Sequence, residues 1–302
     1  MAYAFVANEP LADAVRRILI EQIDRAIVQL EDVKQKPAKR IHDVRKRFKE
    51  IRAVLRIVRD PLGPQFAIEN LWFRDAGREL SALRDSEALI ESAVKLRQSV
   101  RAIRDKRLLS RARSVLTKRR DDSALEDIEP RIENLRAQLP VAKARLASIP
   151  DLDDRFSTIG RGLARTYSRG RRAFRDVSDN PTNELIHEWR KRVKDHWYHV
   201  QLLRHVWPEL MKPYDAIMSQ LSSTLGDRHD LDMMRALVDA DPSAFGSARS
   251  VARLVALIDS RRRELLTAAL VLGSRVYAEA PRSWRARIRG YWRTFRGPDL
   301  AG

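Results

Sequence analysis

Ile41-His42-Asp43-Val44-Arg45-Lys46-Arg47-Phe48-Lys49-Glu50 returns 145 residues later as Ile186-His187-Glu188-Trp189-Arg190-Lys191-Arg192-Val193-Lys194-Asp195. Six of the ten positions are identical and two more exchange Asp with Glu, so the charge pattern and the apolar face survive together. A second element keeps the same register: Leu80-Ser81-Ala82-Leu83-Arg84-Asp85 faces Leu225-Gly226-Asp227-Arg228-His229-Asp230. Two separated elements in one register argue for tandem duplication of a helical unit, with a first half over 1–150 and a second over 151–302.

On a helix, Ile41, Val44, Phe48, Ile51, Leu55 and Val58 fall on one stripe spaced three and four apart, which marks the core face. The same spacing recurs through most of the chain, as in Leu11, Val15, Ile18, Ile23, Ile27 and Leu30. No alternating run reads as a strand, and only 11 Gly and 13 Pro interrupt 302 residues. The pattern predicts an all-α protein with helices near 11–35, 38–60, 65–83, 85–105, 107–120, 123–149, 152–176, 181–206, 211–226, 230–239, 245–278 and 282–296. Pro37 stands where one helix begins, and Asn180-Pro181 reads as an N-cap followed by proline at the first helical position of another.

Hydrophobic residues make up 44% of the chain, enough for a core of ordinary size. Lys plus Arg number 59 against 41 Asp plus Glu, a net charge of +18 that points to a polyanionic partner. The absence of cysteine removes disulfides, thiolate metal sites and cysteine nucleophiles, and agrees with a reducing, cytoplasmic setting. Met1 to Pro10 lacks the basic and apolar regions of a secretion signal, and the apolar stretch around Leu265–Leu272 is too short to span a bilayer, so no membrane insertion is expected.

Beside the core stripe, His42, Arg45, Lys49, Arg52 and Arg56 form a second stripe along a helix of about 34 Å. In the repeat it opens with His187, Arg190 and Lys194, then changes, because Trp197 and Gln201 replace Arg52 and Arg56. Such charges can simply solvate a helix flank. Like charges at these spacings repel, however, each pair costing about 0.2–0.5 kcal/mol, and the stripe carries no acidic residues to relieve it. A bound anion would. A further basic segment, Arg161, Arg165, Arg169, Arg171, Arg172 and Arg175, opens the second half; Arg101, Arg104, Lys106 and Arg107, and the run Arg282 to Arg293, add to the positive surface. Arginine engages phosphate oxygens bidentately.

At these residues the sequence resembles the CHAD family of α-helical domains named for their histidines. The resemblance rests on the repeated I-H-[DE]-x-R-K-R-x-K helix, Arg84-Asp85 and His229-Asp230, the basic Gly160–Arg175 segment and the ending from Leu272-Gly273 to Trp292. It implies two helical bundles related by a pseudo-twofold axis, and binding of inorganic polyphosphate through a basic groove or pore. It further implies association with polyphosphate granules. By that resemblance His42, Arg45, Lys46, Lys49, His187, Arg190, Lys191 and Lys194 map onto the binding helices, with Arg52, Arg56, Arg165, Arg169 and Arg172 as further candidates from the basic stripes. The triphosphatase domain often fused to the family has no counterpart here, since no E-x-E-x-K motif occurs.

His42 and His187 read equally as ligand donors or as structural residues. His196, His199 and His205 crowd one helix but lack a carboxylate second shell for a metal. Asp85 and Asp230 read as helix caps or ion-pair partners rather than catalytic groups. Phosphoanhydride hydrolysis would need a carboxylate cluster to hold Mg²⁺, and nucleotide hydrolysis a G-x-x-x-x-G-K-[ST] loop; neither stands in the sequence. The expectation is therefore non-catalytic binding without a cofactor. Nucleic acid (RNA or single-stranded DNA) is the alternative ligand, disfavoured because the first stripe lacks aromatic platforms for stacking, although Trp197 and Tyr198 stand on the second. A helical scaffold whose basic face meets an acidic protein or membrane is the third reading.

Overall fold

The apolar stripe predicted on 38–60 is buried along its length: Ile41, Val44, Ile51, Leu55 and Val58 are fully buried and Phe48 is 1% exposed. The computed structural model describes residues 3–122 and 128–297, apart from the side chains of 81–85, 122 and 128. Every regular element among them is helical: α1 (Leu11–Glu31), α2 (Pro37–Ile57), the single turn α3 (Arg59–Leu62), α4 (Pro64–Glu79), α5 (Ser81–Ser99) and α6 (Ile103–Asp122). They are followed by α7 (Ile128–Ala147), α8 (Phe156–Asp179), α9 (Asn183–Leu202), α10 (Pro208–Ala240), a 3-10 turn (Pro242–Phe245), α11 (Ala248–Val276) and α12 (Pro281–Arg296). No described helix is long and apolar enough to cross a membrane.

The order of packing repeats. α1 lies on α2 and α7, as α8 lies on α9 and α12; α2 lies on α4 as α9 lies on α10; α5 pairs with α6 as α10 pairs with α11. Leu11 and Phe156 begin α1 and α8, and Ile103 and Ala248 begin α6 and α11, each pair 145 residues apart. The two stretches share their core, because one apolar cluster runs from Tyr3 through α1, α2, α7, α8, α9 and α12. A second cluster joins α5 and α6 to α10 and α11.

α2 is buried on more than the predicted stripe. Ala53, Val54 and Ile57 are also covered, because α8 and α9 pack on the side that α1 and α4 leave open. The turn α3 that follows it closes on a residue that needs to be glycine: Gly63 has φ +51°, where a Cβ is disfavoured, and Pro64 then starts α4 with its fixed φ.

Two sequence expectations change, and a third lies beyond the described side chains. The N-cap of α9 is Thr182, whose Oγ1 accepts from Leu185 N at 3.3 Å, while Asn180 closes α8 by donating its N–H to Asp176 O. The helices expected at 211–226 and 230–239 are one, α10, since Leu221, Leu225, Arg228, Leu231 and Met234 keep burying one face across Gly226. The Arg84-Asp85 side chains lie outside the described residues.

Candidate anion-binding groove

The basic stripes of α2 and α9 stand at a fixed angle from their core stripes, so seating both apolar faces in one core turns both charged flanks into the same space. His42, Arg45 and Lys49 of α2 and His187, Arg190, Lys191 and Lys194 of α9 line one groove of about 380 Å³. Its remaining walls come from α5 (Ala88 and Leu89) and α10 (His229, Asp230 and Met233).

The rings of His187 and His229 lie 4.7 Å apart. Burial pushes His229 down to about 4, with Arg190 and His187 adding to the effect. His187 is lowered by burial first and then by Lys191 and Arg190. Both rings are therefore neutral at pH 7 without a ligand, in a groove of cations that an anion would relieve.

Farther along the same flank of α2, a cavity of about 270 Å³ gathers Arg52, Arg56 and Arg59 with Arg165 and Arg169 of α8 and Arg192 of α9. The close crossing of α8 depends on Gly162, where a Cβ would stand 2.1 Å from Ile57 O. Arg52 Nε donates to Asn70 Oδ1 at 3.1 Å. Burial, aided by Arg56, lowers Arg52 to about 10, still charged at neutral pH. Arg169 is lowered by burial and then by Arg192.

The stripe itself lacks acids, but the tertiary structure supplies them. Asp195 takes Arg56 at 3.0 Å and Arg192 at 3.1 Å, and Asp60 takes Arg165 at 2.8 Å. Self-repulsion is thus relieved in the second cavity more than the stripe alone suggested.

Of the thirteen candidates, seven line the first groove and four, Arg52, Arg56, Arg165 and Arg169, line the second cavity. Lys46 and Arg172 line neither: Lys46 turns to Glu50 at 4.0 Å, and Arg172 is exposed. The sequence reading missed His229, Arg59 and Arg192 as lining residues. The repeated register at His229-Asp230 carried the signal for the first. Arg192 stands inside the repeated motif and pairs with Asp195 as its counterpart Arg47 pairs with Glu50, yet only Arg192 lines the cavity, so the motif alone does not separate their roles.

Where the repeat departs, the contact survives and the charge does not. Trp197 Nε1 donates to Asp215 Oδ1 at 2.7 Å, in the place of the Arg52–Asn70 bond 145 residues earlier, and the ring packs on the core. His196 Nε2 lies 2.8 Å from Tyr214 Oη, and His199 Nε2 donates to Ala53 O at 2.9 Å. Burial pushes each to about 3, so they are neutral core residues, while His205 is exposed.

A sequence model of the CHAD domain matches residues 17–239. The crystal structure of the CHAD domain from the plant Ricinus communis is similar in fold, with a TM-score of 0.63 at 17% identity, covering 93% of this chain and 96% of that one. A comparison with curated proteins finds no match.

Proposed function

The chain belongs to the CHAD domain family, and from that premise we propose that it binds inorganic polyphosphate, without cleaving it, in the groove between α2 and α9. The observation that carries the reading is the meeting of His42, Arg45 and Lys49 with His187, Arg190 and Lys194 in one groove, although 145 residues separate the two sets. The stripe from His42 to Arg56 runs about 21 Å along α2, which suits a linear ligand bearing charge at every unit. Such a ligand exchanges its counterions for Lys and Arg.

Absence of catalysis is part of the reading. Hydrolysis of a phosphoanhydride calls for carboxylates that hold a metal against the phosphates. Asp195 and Asp60 are instead held by arginines, and among the described residues no three His, Asp or Glu side chains are grouped to ligate a metal. A cytoplasmic setting with association to polyphosphate granules belongs to the same proposal. Among the described residues the groove has no Phe, Tyr or Trp in its lining, which favours a ligand without bases over RNA or single-stranded DNA.

Competition among long-chain polyphosphate, RNA and DNA for the full chain at physiological salt tests this reading. Polyphosphate is expected to displace both nucleic acids; displacement of polyphosphate by either would overturn it.

A further inference from the structure

α5 and α6 form an antiparallel pair joined through Val100–Ala102, and α10 and α11 form its counterpart. The α2/α9 groove takes Leu89 from the N-terminal half of α5; α6 begins beyond Ser99, about 15 Å farther along that helix. The far end of this four-helix layer carries a further cationic cavity, of about 660 Å³, between the opening turns of α6 and α11.

Each lining residue of α6 has its 145-residue counterpart of α11 in the same lining, Arg104 with Arg249 and Leu108 with Arg253 among them. The cavity therefore straddles the line about which the repeated helices are arranged, as the first groove does with His42 and His187. The same two helices are anchored by Leu109, Ala112, Leu254 and Ile258, all buried in the second core.

Arg104, Arg107, Arg111, Arg249 and Arg253 stand around a single carboxylate, Asp105. That carboxylate is 4% exposed and takes a bidentate contact from Arg253, at 2.9 and 2.6 Å, which ties α11 to α6. Arg107, Arg111 and Arg249 form no ion pair with a described carboxylate. Arg249 also sits in the first turn of α11, which holds no acidic residue, although the helix dipole disfavours a cation there. An ordinary solvated flank would intersperse acids. Here the one carboxylate is buried and held by Arg253, which leaves the guanidinium groups of Arg107, Arg111 and Arg249 to match phosphate oxygens, which they take in pairs.

We propose that the α6/α11 cavity is a second binding site for a phosphate chain, and that the two sites let one molecule hold two stretches of polyanion at once. The inference does not depend on the reading of the α2/α9 groove. It goes beyond the match to the family sequence model, which ends at residue 239, before α11 begins.

Calorimetric titration of the full chain with tripolyphosphate tests it, alongside Arg107→Glu with Arg249→Glu and, separately, Arg45→Glu with Lys49→Glu. Both α6/α11 positions are exposed, and circular dichroism of these variants, together with the neutral Arg107→Gln, Arg249→Gln pair, checks that the helices persist. The expected result is two equivalents bound by the unaltered chain and one by each charge-reversed pair. One equivalent, lost on changing α2 and unaffected by changing α6 and α11, overturns the second site while leaving the groove in place. One equivalent that survives the α2 changes and disappears with the α6/α11 changes keeps this inference and removes the groove instead.

Discussion

Arg56 of α2 and Asp195 of α9 meet at 3.0 Å, so the carboxylate that closes the second copy of the repeated motif neutralises the last arginine on the basic stripe of the first. Asp195 also holds Arg192 at 3.1 Å and is largely buried. Asp195→Asn leaves Arg56 without its counter-charge and Arg192 with Glu188 alone, and is expected to cost about 1–3 kcal/mol of stability. Polyphosphate affinity should move the opposite way, since Arg56 becomes available and Arg192 loses one of its two carboxylates. Thermal melts with and without ligand check both signs, and a variant that is destabilised and also binds more weakly would count against a ligand path past Arg56.

Arg45→Glu with Lys49→Glu reverses two charges on the half-buried flank of α2 while the core stripe remains. Helicity should persist and polyphosphate binding should fall at least tenfold. Affinity of the unaltered protein should decline linearly with log salt, and each cation removed from contact should lower the slope by roughly 0.7–0.9, by analogy with nucleic acids. Titrations at several salt concentrations measure both quantities.

His187 and His229 supply a pH signature. Their values lie below the usual 6.5 or so in the ligand-free groove, His229 at about 4, chiefly through burial. A phosphate chain beside the rings raises both, so binding takes up protons and affinity should climb as pH drops from 7 to 5. His187→Gln with His229→Gln should flatten that profile. Without ligand the stability runs the other way: the unfolded chain protonates these histidines, and His196 and His199, at higher pH than the folded one, so stability is lost as pH falls from about 6.5 toward about 3. Binding isotherms and melts across this range separate the two trends.

Gly162→Ala places a methyl group 2.1 Å from Ile57 O, an overlap that only movement of α8 away from α2 relieves. Overpacking of this kind costs about 1–3 kcal/mol, and the backbone partner puts the expectation at the upper end. Because Arg165 and Arg169 ride on α8, polyphosphate affinity should fall with stability. Chemical denaturation and titration of the same variant test the pairing.

Much of this was legible in the sequence because it depends on periodicity. The Ile41-to-Val58 stripe, the basic stripe beside it and the 145-residue register follow from helix geometry, and geometry then brings His42 opposite His187. What was not legible depends on contacts between distant residues. Nothing local says that Asp195 turns to Arg56, or that Lys46 turns away to Glu50. The cap of α9 went to Thr182 because a hydroxyl two positions after Asn180 reaches the Leu185 N–H. α10 passed through Gly226 because burial on both sides outweighs the weak preference of one glycine.

The exchange of Arg52–Asn70 for Trp197–Asp215 gives the molecule an asymmetry that a strict 145-residue repeat would lack. A linear phosphate polymer reads the same from either terminus, so by itself it has no front or back. One way out of the α2/α9 groove follows guanidinium groups, and the other meets an indole locked onto a carboxylate. A strand lying in the groove would therefore extend preferentially past one doorway, so that its bound stretch sits off-centre on the molecule.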